Sequence, residues 1–223
     1  LSSPVFPDEA VTARRDKLAA QCRTSREKIT SKVQDIFLPM TYGADAPKAH
    51  RSTDRDFMGV TPEMVRDHYR RHLKATPPRA YLAGRLTPEL VAEVTRRLEA
   101  MTFEPVGNPV EIHSVAPQFN PEGNFRRLTV DDSLQSAIKI AIPTIGRDNP
   151  DYETLRLASV AFGGHFGSRL MQNIREDKGY TYGISAQLAT LPGEGSFLVI
   201  SCQTDNGFVD GVLSEINSEC GRM

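Results

Sequence analysis

The sequence predicts an α+β fold in which helices pack on one face of antiparallel sheets. The strand-like segments in the second part of the chain follow one another in pairs, and helical sequence follows each pair. A stretch rich in proline and glycine, residues 104–124, separates them from an earlier part that has helices and one strand-like segment. We therefore predict two related domains, the first of them incomplete. They are the back half of a domain over residues 1–103, a linker over residues 104–124 and a second domain over residues 125–223.

The composition is typical of a soluble globular protein. The chain has 223 residues, of which 39% are hydrophobic and 25% charged, and its formal net charge is −1. The near-neutral charge argues against nucleic-acid binding, and no apolar run approaches the roughly 20 residues of a membrane span. Cys22, Cys202 and Cys220 form no CxxC pair, so neither a zinc ribbon nor a disulfide framework is indicated. We expect a soluble protein of the cytoplasm. None of these features by itself identifies a compartment.

The first part of the chain is predicted to be mostly helical. A helical pattern covers residues 6–43 with a break near Ser25, and polar sequence typical of a loop follows it. Threonine followed by proline occurs at residues 61–62 and again at residues 87–88. Threonine suits the N-cap and proline the first helical turn, so we expect a helix to begin at each pair. Between them, "RAYLAGRL" over residues 79–86 is predicted to be a short strand.

The second part is predicted to combine two pairs of strands with helices. The predicted strands cover residues 125–130, 135–145, 180–189 and 195–204. A helix is predicted over residues 150–162, with the apolar residues Leu155, Leu157, Ala158, Ala161 and Phe162 turned inward. A last helix is expected after Asn206. It runs to the end of the chain, as we would expect of a domain truncated at its C-terminus.

The stretch "GGHFGSRL" after the helix over residues 150–162 does not fit a familiar reactive motif. A phosphate-binding loop needs a preceding strand and a lysine, so the glycines are predicted to link two helices tightly. His165 has no partner at ligand spacing and is expected to be a loop or cap residue. Ser168 lacks a GxSxG context, and helix capping explains it. His68 and His72 can share one helix face, but flanking arginines and the lack of a third ligand favour a solvated basic face.

The sequence "NIREDKGYTYG" over residues 173–183 is predicted to form a corner between a helix and a strand. Gly179 suits the left-handed position that ends a helix, and the alternation that follows places Tyr180 and Tyr182 on one face of a strand. Such a corner can bring Arg175 close to a tyrosine. An arginine fork and a phenol hydroxyl together can clamp a carbonyl or a developing oxyanion. In a second interpretation, the arginine pairs with neighbouring acidic residues and the tyrosines belong to the core. Composition alone favours this second interpretation.

The longer stretch "LASVAFGGHFGSRLMQNIREDKGYTYGISA" resembles the insulinase and mitochondrial-processing-peptidase family of zinc peptidases. The family pattern GGxxxSRLxxxIRExxGLxYxxxA is matched in register. The matching residues are Gly163, Gly164, Ser168, Arg169, Leu170, Ile174, Arg175, Glu176, Gly179 and Tyr182. The main departure is Tyr180, where the family usually has a smaller aliphatic residue. Segments of the first part, among them "FPDEAVTARRDKLAAQCR", resemble the back half of the family's first domain, so the resemblance covers nearly the whole chain.

The resemblance implies a processing-peptidase-like metallohydrolase fold and a clamp for peptides. Two similar α+β domains form one half of a chamber, and Arg175 and Tyr182 hold the peptide backbone and carbonyl at a zinc in the other half. The family binds this zinc through HxxEH, which would lie upstream of Leu1, and through a downstream glutamate. The position of that glutamate falls on Gln21, and neutral glutamine is a poor zinc ligand. We therefore expect no cofactor in this chain, and zinc on a partner or on an upstream segment.

The sequence thus predicts the substrate-binding, zinc-free subunit of a heterodimeric zinc peptidase that acts on peptides. Its expected partner is a zinc-bearing homologous subunit or a second copy of the same chain, and the chain alone is expected to be inactive. Two alternatives stay open. The chain can be a fragment of an ordinary zinc endopeptidase whose HxxEH lies upstream, or a non-catalytic scaffold or assembly subunit.

Overall fold

The computed structural model describes residues 4–73, 79–103, 116–119, 124–191 and 195–223. The chain divides into two compact units. The first unit comprises Leu1–Arg23 and Ser52–Ile112, and the second comprises Thr24–Arg51 and His113–Met223. The predicted linker over residues 104–124 lies mostly outside the described residues, so the predicted domain boundaries stay predictions.

The described residues form helices and three strands. The α-helices are α1 (Asp8–Glu27), α2 (Ile29–Tyr42), α3 (Asp54–Met58), α4 (Pro62–His68), α5 (Pro88–Glu99), α6 (Tyr152–Ser159) and α7 (Val209–Gly221). Wider, π-helical segments cover Tyr69–Leu73, Val160–Gly164 and Met171–Asp177, and short 3₁₀ turns cover Pro47–Ala49 and Asn206–Phe208. The strands are β1 (Gln135–Thr144), β2 (Thr181–Leu191) and β3 (Gly195–Asp205). No described helix combines the length and the apolar composition that crossing a bilayer requires.

The helix starts of the first unit follow the predicted capping pattern. The Thr61 hydroxyl accepts a hydrogen bond from the Met64 N–H at 3.2 Å, and the Thr87 hydroxyl accepts one from the Leu90 N–H at 3.3 Å. Each bond satisfies one of the amide groups that a helix leaves free at its first turn. The predicted helix over residues 6–43 is divided into α1 and α2 at Lys28, whose backbone is extended, three residues beyond the expected break.

Two predicted strands are wrong. Residues 79–86 and residues 125–130 have no regular secondary structure, and the aromatic side chains of Tyr81 and Phe125 are exposed. Both segments carry residues with strand propensity, but a strand forms only where a neighbouring backbone accepts its hydrogen bonds. Within the described part of the chain, neither segment has such a neighbour.

The second unit contains the predicted antiparallel sheet, which confirms the α+β class. The strand order is β1-β3-β2 and both pairs are antiparallel. β1 pairs with β3 without interruption, from Gln135 opposite Asp205 to Thr144 opposite Ser196. β2 pairs with β3 regularly from Ile184 onward, but one extra residue between Thr181 and Ile184 forms a β-bulge.

The sheet buries apolar side chains on both of its faces. Alternate residues of β3, among them Ile200 and Cys202, belong to the larger core that includes residues of the helical segment Met171–Asp177 and of α7. Phe197 faces the other side of the sheet and packs with Phe37 and Tyr42 of α2 in a smaller core. α2 therefore belongs with the second unit, as an additional layer on its sheet.

The helical segments over residues 152–162 turn inward only part of the predicted set, with Phe162 buried and Leu155 and Ala158 half-buried. Tyr152, Ser159 and Phe162 are buried, whereas Leu157 and Ala161 are exposed. Residues that follow Tyr152 by seven and ten positions return to the same helix face, which places Leu157 on the opposite face. The Tyr152 hydroxyl also hydrogen bonds with Thr190 of β2 at 2.9 Å. The contacts with the sheet thus select this inward face.

Candidate functional site

The two glycines after α6 have different structural roles. They end the helical segment Val160–Gly164, and a short turn leads to the next helical residues, as the predicted link between two helices requires. A Cβ on Gly163 would lie 2.5 Å from the Cβ and 2.6 Å from the backbone nitrogen of Ala186. A Cβ on Gly164 would meet nothing closer than 3.3 Å. Gly163 therefore lets the helical segment pack directly on β2.

His165 shapes the turn that follows. Its Nδ1 accepts a hydrogen bond from the Gly167 N–H at 3.0 Å, and its carbonyl accepts one from the Ser168 N–H at 3.1 Å. This confirms a loop role for His165. The capping role predicted for Ser168 is wrong, because its hydroxyl is buried and has no hydrogen-bond partner among the described residues.

The helical segment that carries Arg175 is fixed from two sides. Leu170 and Ile174 are fully buried in the larger core. On the other side, the Arg169 guanidinium donates two hydrogen bonds to the Glu219 carboxylate of α7, at 3.0 and 2.8 Å. The Asn173 amide donates to the same carboxylate at 3.0 Å. The backbone at Arg175 is therefore held against both the sheet and α7.

Glu219 is a buried carboxylate that accepts hydrogen bonds from Arg169 and Asn173. Burial alone would raise its pKa, but the hydrogen bonds from Arg169 and Asn173, with the charges of Arg169 and Arg222, outweigh burial and lower the pKa below its ordinary value. Sequence reasoning missed this residue. Its spacing of four residues from Glu215, which also accepts a hydrogen bond from Asn173, is the pattern that marks this helix face.

Arg175 lies near the end of its helical segment with its side chain 30% exposed. Its Nη1 donates to the adjacent Glu176 carboxylate at 3.0 Å. The guanidinium carbon also lies 4.4 Å from the centre of the Phe166 ring. The ion pair with a neighbouring acidic residue, which composition alone favoured, is therefore present. It engages one nitrogen of the guanidinium and leaves other N–H donors of Arg175 for a ligand.

The predicted corner between helix and strand is present. Gly179 has a φ of +65°, the left-handed conformation that glycine adopts most easily. Its N–H donates to the Arg175 carbonyl at 3.1 Å, and the Tyr180 N–H donates to the Ile174 carbonyl at 3.0 Å. These bonds satisfy the last carbonyls of the helical segment, and β2 begins at Thr181.

The two tyrosines of the corner do not share a face, contrary to the prediction. Tyr180 packs against the larger core and stacks on Phe208 with ring centres 5.0 Å apart. Tyr182 is 90% exposed. The difference arises because Tyr180 precedes the strand and Tyr182 lies in the bulge. There, the Thr181 hydroxyl accepts a hydrogen bond from the Gly183 N–H at 3.0 Å.

Arg175 and Tyr182 thus lie on either side of the corner, and each presents polar atoms to solvent. No hydrogen bond or ring contact joins their side chains in the described structure. The role predicted for them stays a prediction. The Arg175 side chain is partly exposed and the Tyr182 side chain is almost fully exposed, and neither side chain bonds to the other. The sequence pattern identifies Arg175 and Tyr182 as a pair. No periodicity in the sequence indicates the contact between Phe166 and Arg175.

The described residues do not form a zinc site. Gln21 is exposed on α1, and the neighbouring Cys22 thiol donates to the Ser52 carbonyl at 3.4 Å. His68 and His72 do lie on one helix face, with ring centres 4.6 Å apart. However, no group of three His, Cys, Asp or Glu side chains within the described ranges is arranged to hold a metal ion. The ligands that the resemblance implies are therefore not found in this part of the chain.

Several solved structures have a similar fold. The chain aligns with a peptidase M16 inactive domain from Pseudomonas fluorescens at 21% identity and a TM-score of 0.74, covering 99% of this chain and 53% of that one. It aligns with a protease from Helicobacter pylori at 13% identity and a TM-score of 0.72, covering 97% and 54%. The periplasmic protease PqqL from Escherichia coli aligns at 15% identity and a TM-score of 0.64, covering 96% and 23%. The chain therefore spans about half, or less, of the length of these structures.

Residues 59–223 match the family model described as the peptidase M16 inactive domain. The match covers well over half of the chain, and the chain belongs to the peptidase M16 family. No curated protein matches the sequence. The predicted resemblance to the insulinase and processing-peptidase family is confirmed, while the identities to solved structures, all low, support the fold alone.

Proposed function

We propose that the chain is the substrate-binding, zinc-free subunit of a peptidase that acts on peptides. The main observation is that Arg175 and Tyr182, seven residues apart, both present hydrogen-bond donors to solvent from a corner that is fixed to the sheet and to α7. The match to a family model described as an inactive domain supports the zinc-free role.

The two side chains suit the recognition of a peptide carbonyl. Arg175 presents a planar set of N–H donors, and Tyr182 presents a phenol hydroxyl on a side chain that the protein leaves almost fully exposed. Both groups can donate to a carbonyl oxygen, and their hydrogen bonds strengthen as that oxygen gains negative charge. Zinc, when bound to a homologous subunit, would supply the Lewis acid and the activated water of the reaction.

The proposed partner is a zinc-bearing homologous subunit, because a second copy of a zinc-free chain would supply no zinc. The test compares the full-length protein alone, the zinc-bearing M16 homologue from the same genome alone, and the two mixed. The probe is an internally quenched fluorogenic peptide library. We expect cleavage only in the mixture, and no zinc in the protein purified alone. Cleavage by the protein alone that a chelator abolishes would overturn the proposal and favour an ordinary zinc endopeptidase.

The role of Arg175 is tested in the same mixture. Arg175→Ala removes a donor to the carbonyl oxygen and should lower kcat/KM by about 10²-fold or more, as the loss of one oxyanion donor does. Arg156→Ala is the matched control, since Arg156 is an exposed arginine of the same unit that pairs with Glu153 at 2.6 Å. We expect that control to leave kcat/KM unchanged. Unchanged activity in both variants would instead favour a scaffold or assembly role.

A further inference from the structure

Phe166 is an aromatic residue in an unusual position. Its side chain is 66% exposed, so it contributes little to the core. Its ring lies 4.4 Å from the guanidinium carbon of Arg175, within the range of a cation–π contact. This exposed ring therefore contacts one of the two proposed clamp residues.

The ring holds Arg175 without using its hydrogen-bond donors. A cation–π contact engages the face of the guanidinium, whereas the N–H groups lie in its plane. One of them, on Nη1, already donates to Glu176. Phe166 and Glu176 thus contact the guanidinium at two points and limit the orientations that it can adopt.

Phe166 itself is held in place by the turn around it. The hydrogen bonds from Gly167 and Ser168 to His165 close the turn on both sides of Phe166. Gly163, three residues earlier, is seated against Ala186 of β2. The backbone at Phe166 is therefore held relative to the strand that also carries Tyr182.

We propose that Phe166 is a positioning residue that orients Arg175 for the carbonyl of a bound peptide. This inference rests on the proposed function. A long arginine side chain that is oriented in advance loses less conformational entropy when the peptide binds. The residue acts through Arg175 alone, so its effect should disappear when Arg175 is absent.

The contact is first tested in the full-length protein without a partner. The side-chain proton resonances of Arg175 should be shifted upfield by the ring current of Phe166. Phe166→Leu should move them toward the values of an exposed arginine, and Phe166→Tyr should leave them in place. Because Phe166 is mostly exposed, both variants should unfold at the wild-type temperature. Unchanged Arg175 resonances in Phe166→Leu would overturn the proposal.

The effect on function is tested by a double-mutant cycle with the fluorogenic peptide library and the zinc-bearing homologue. Phe166→Leu should lower kcat/KM by about 2- to 5-fold, the equivalent of an exposed cation–π contact, and Phe166→Tyr should restore it. In the Arg175→Ala background, Phe166→Leu should have no further effect. A further loss in that background, or no loss in the wild-type background, overturns the positioning role. If Arg175→Ala itself changes nothing, the proposed function fails together with it.

Discussion

Gly163→Ala is expected to destabilise the second unit because the new methyl group has no space. It would lie 2.5 Å from the Cβ of Ala186 and 2.6 Å from the Ala186 nitrogen, well inside van der Waals contact. The nitrogen belongs to β2, which is paired along β3 and cannot shift without disturbing the sheet. The helical segment Val160–Gly164 therefore has to move away from the strand, and its contacts with the larger core weaken.

The magnitude follows from two opposed effects. Overpacking in a well-packed region costs about 1–3 kcal/mol. Alanine in place of a helical glycine stabilises the helix by up to about 1 kcal/mol. We expect a net loss of about 1–2 kcal/mol in the free energy of unfolding, which lowers Tm by about 2–8 °C for a chain of this size. Thermal unfolding followed by far-ultraviolet circular dichroism measures the change.

Two further variants decide whether the cause is the backbone contact. Gly207→Ala is the control, since Gly207 also lies in a helical turn and a Cβ there would meet nothing within 4 Å. It should leave Tm near the wild-type value. Ala186→Gly removes only the Cβ contact, so it should not rescue Gly163→Ala. Wild-type stability of Gly163→Ala would refute the reasoning, and full rescue by Ala186→Gly would show that the side chain alone causes the clash.

Two other predictions concern buried ionisable groups. The folded-state pKa of Glu219 is lowered, so its stabilisation is complete above the ordinary pKa of glutamate and is lost as the pH falls through the folded value. Denaturant unfolding between about pH 7 and pH 3 should show a shallower loss in Glu219→Gln, and identical profiles would contradict this. Burial raises the pKa of the Cys202 thiol, so Cys202 should react with a disulfide reagent only after unfolding, whereas partly exposed Cys22 reacts in the native protein. Equal native rates would contradict this.

Features that depend only on residues close together in the sequence were predicted correctly. The caps at Thr61 and Thr87 depend only on a hydroxyl and a nearby amide, and both form as predicted. The corner at Gly179 likewise depends on a single backbone conformation that favours glycine. The two strands after the corner alternate strongly enough to fix both their existence and their pairing.

The predictions that failed depend on contacts between distant residues. Residues 79–86 have strand propensity, but propensity cannot supply a second strand. The face of Tyr182 depends on a bulge that the sequence does not mark, because one extra residue reverses the alternation. The burial of Glu219 depends on Arg169, fifty residues earlier, and neither residue indicates the other.

The structure distinguishes the two members of the proposed clamp. Arg175 has side-chain contacts before any ligand binds, with the Phe166 ring and with Glu176. Tyr182 makes no hydrogen bond or ring contact through its side chain with the described residues, so only its backbone, in the bulge of β2, is fixed. In the proposed function, Tyr182 would lose more side-chain freedom on binding a peptide than Arg175, whose side chain already makes two contacts. The proposed clamp would therefore combine a partly restrained arginine with a tyrosine whose side chain can adapt to different peptides.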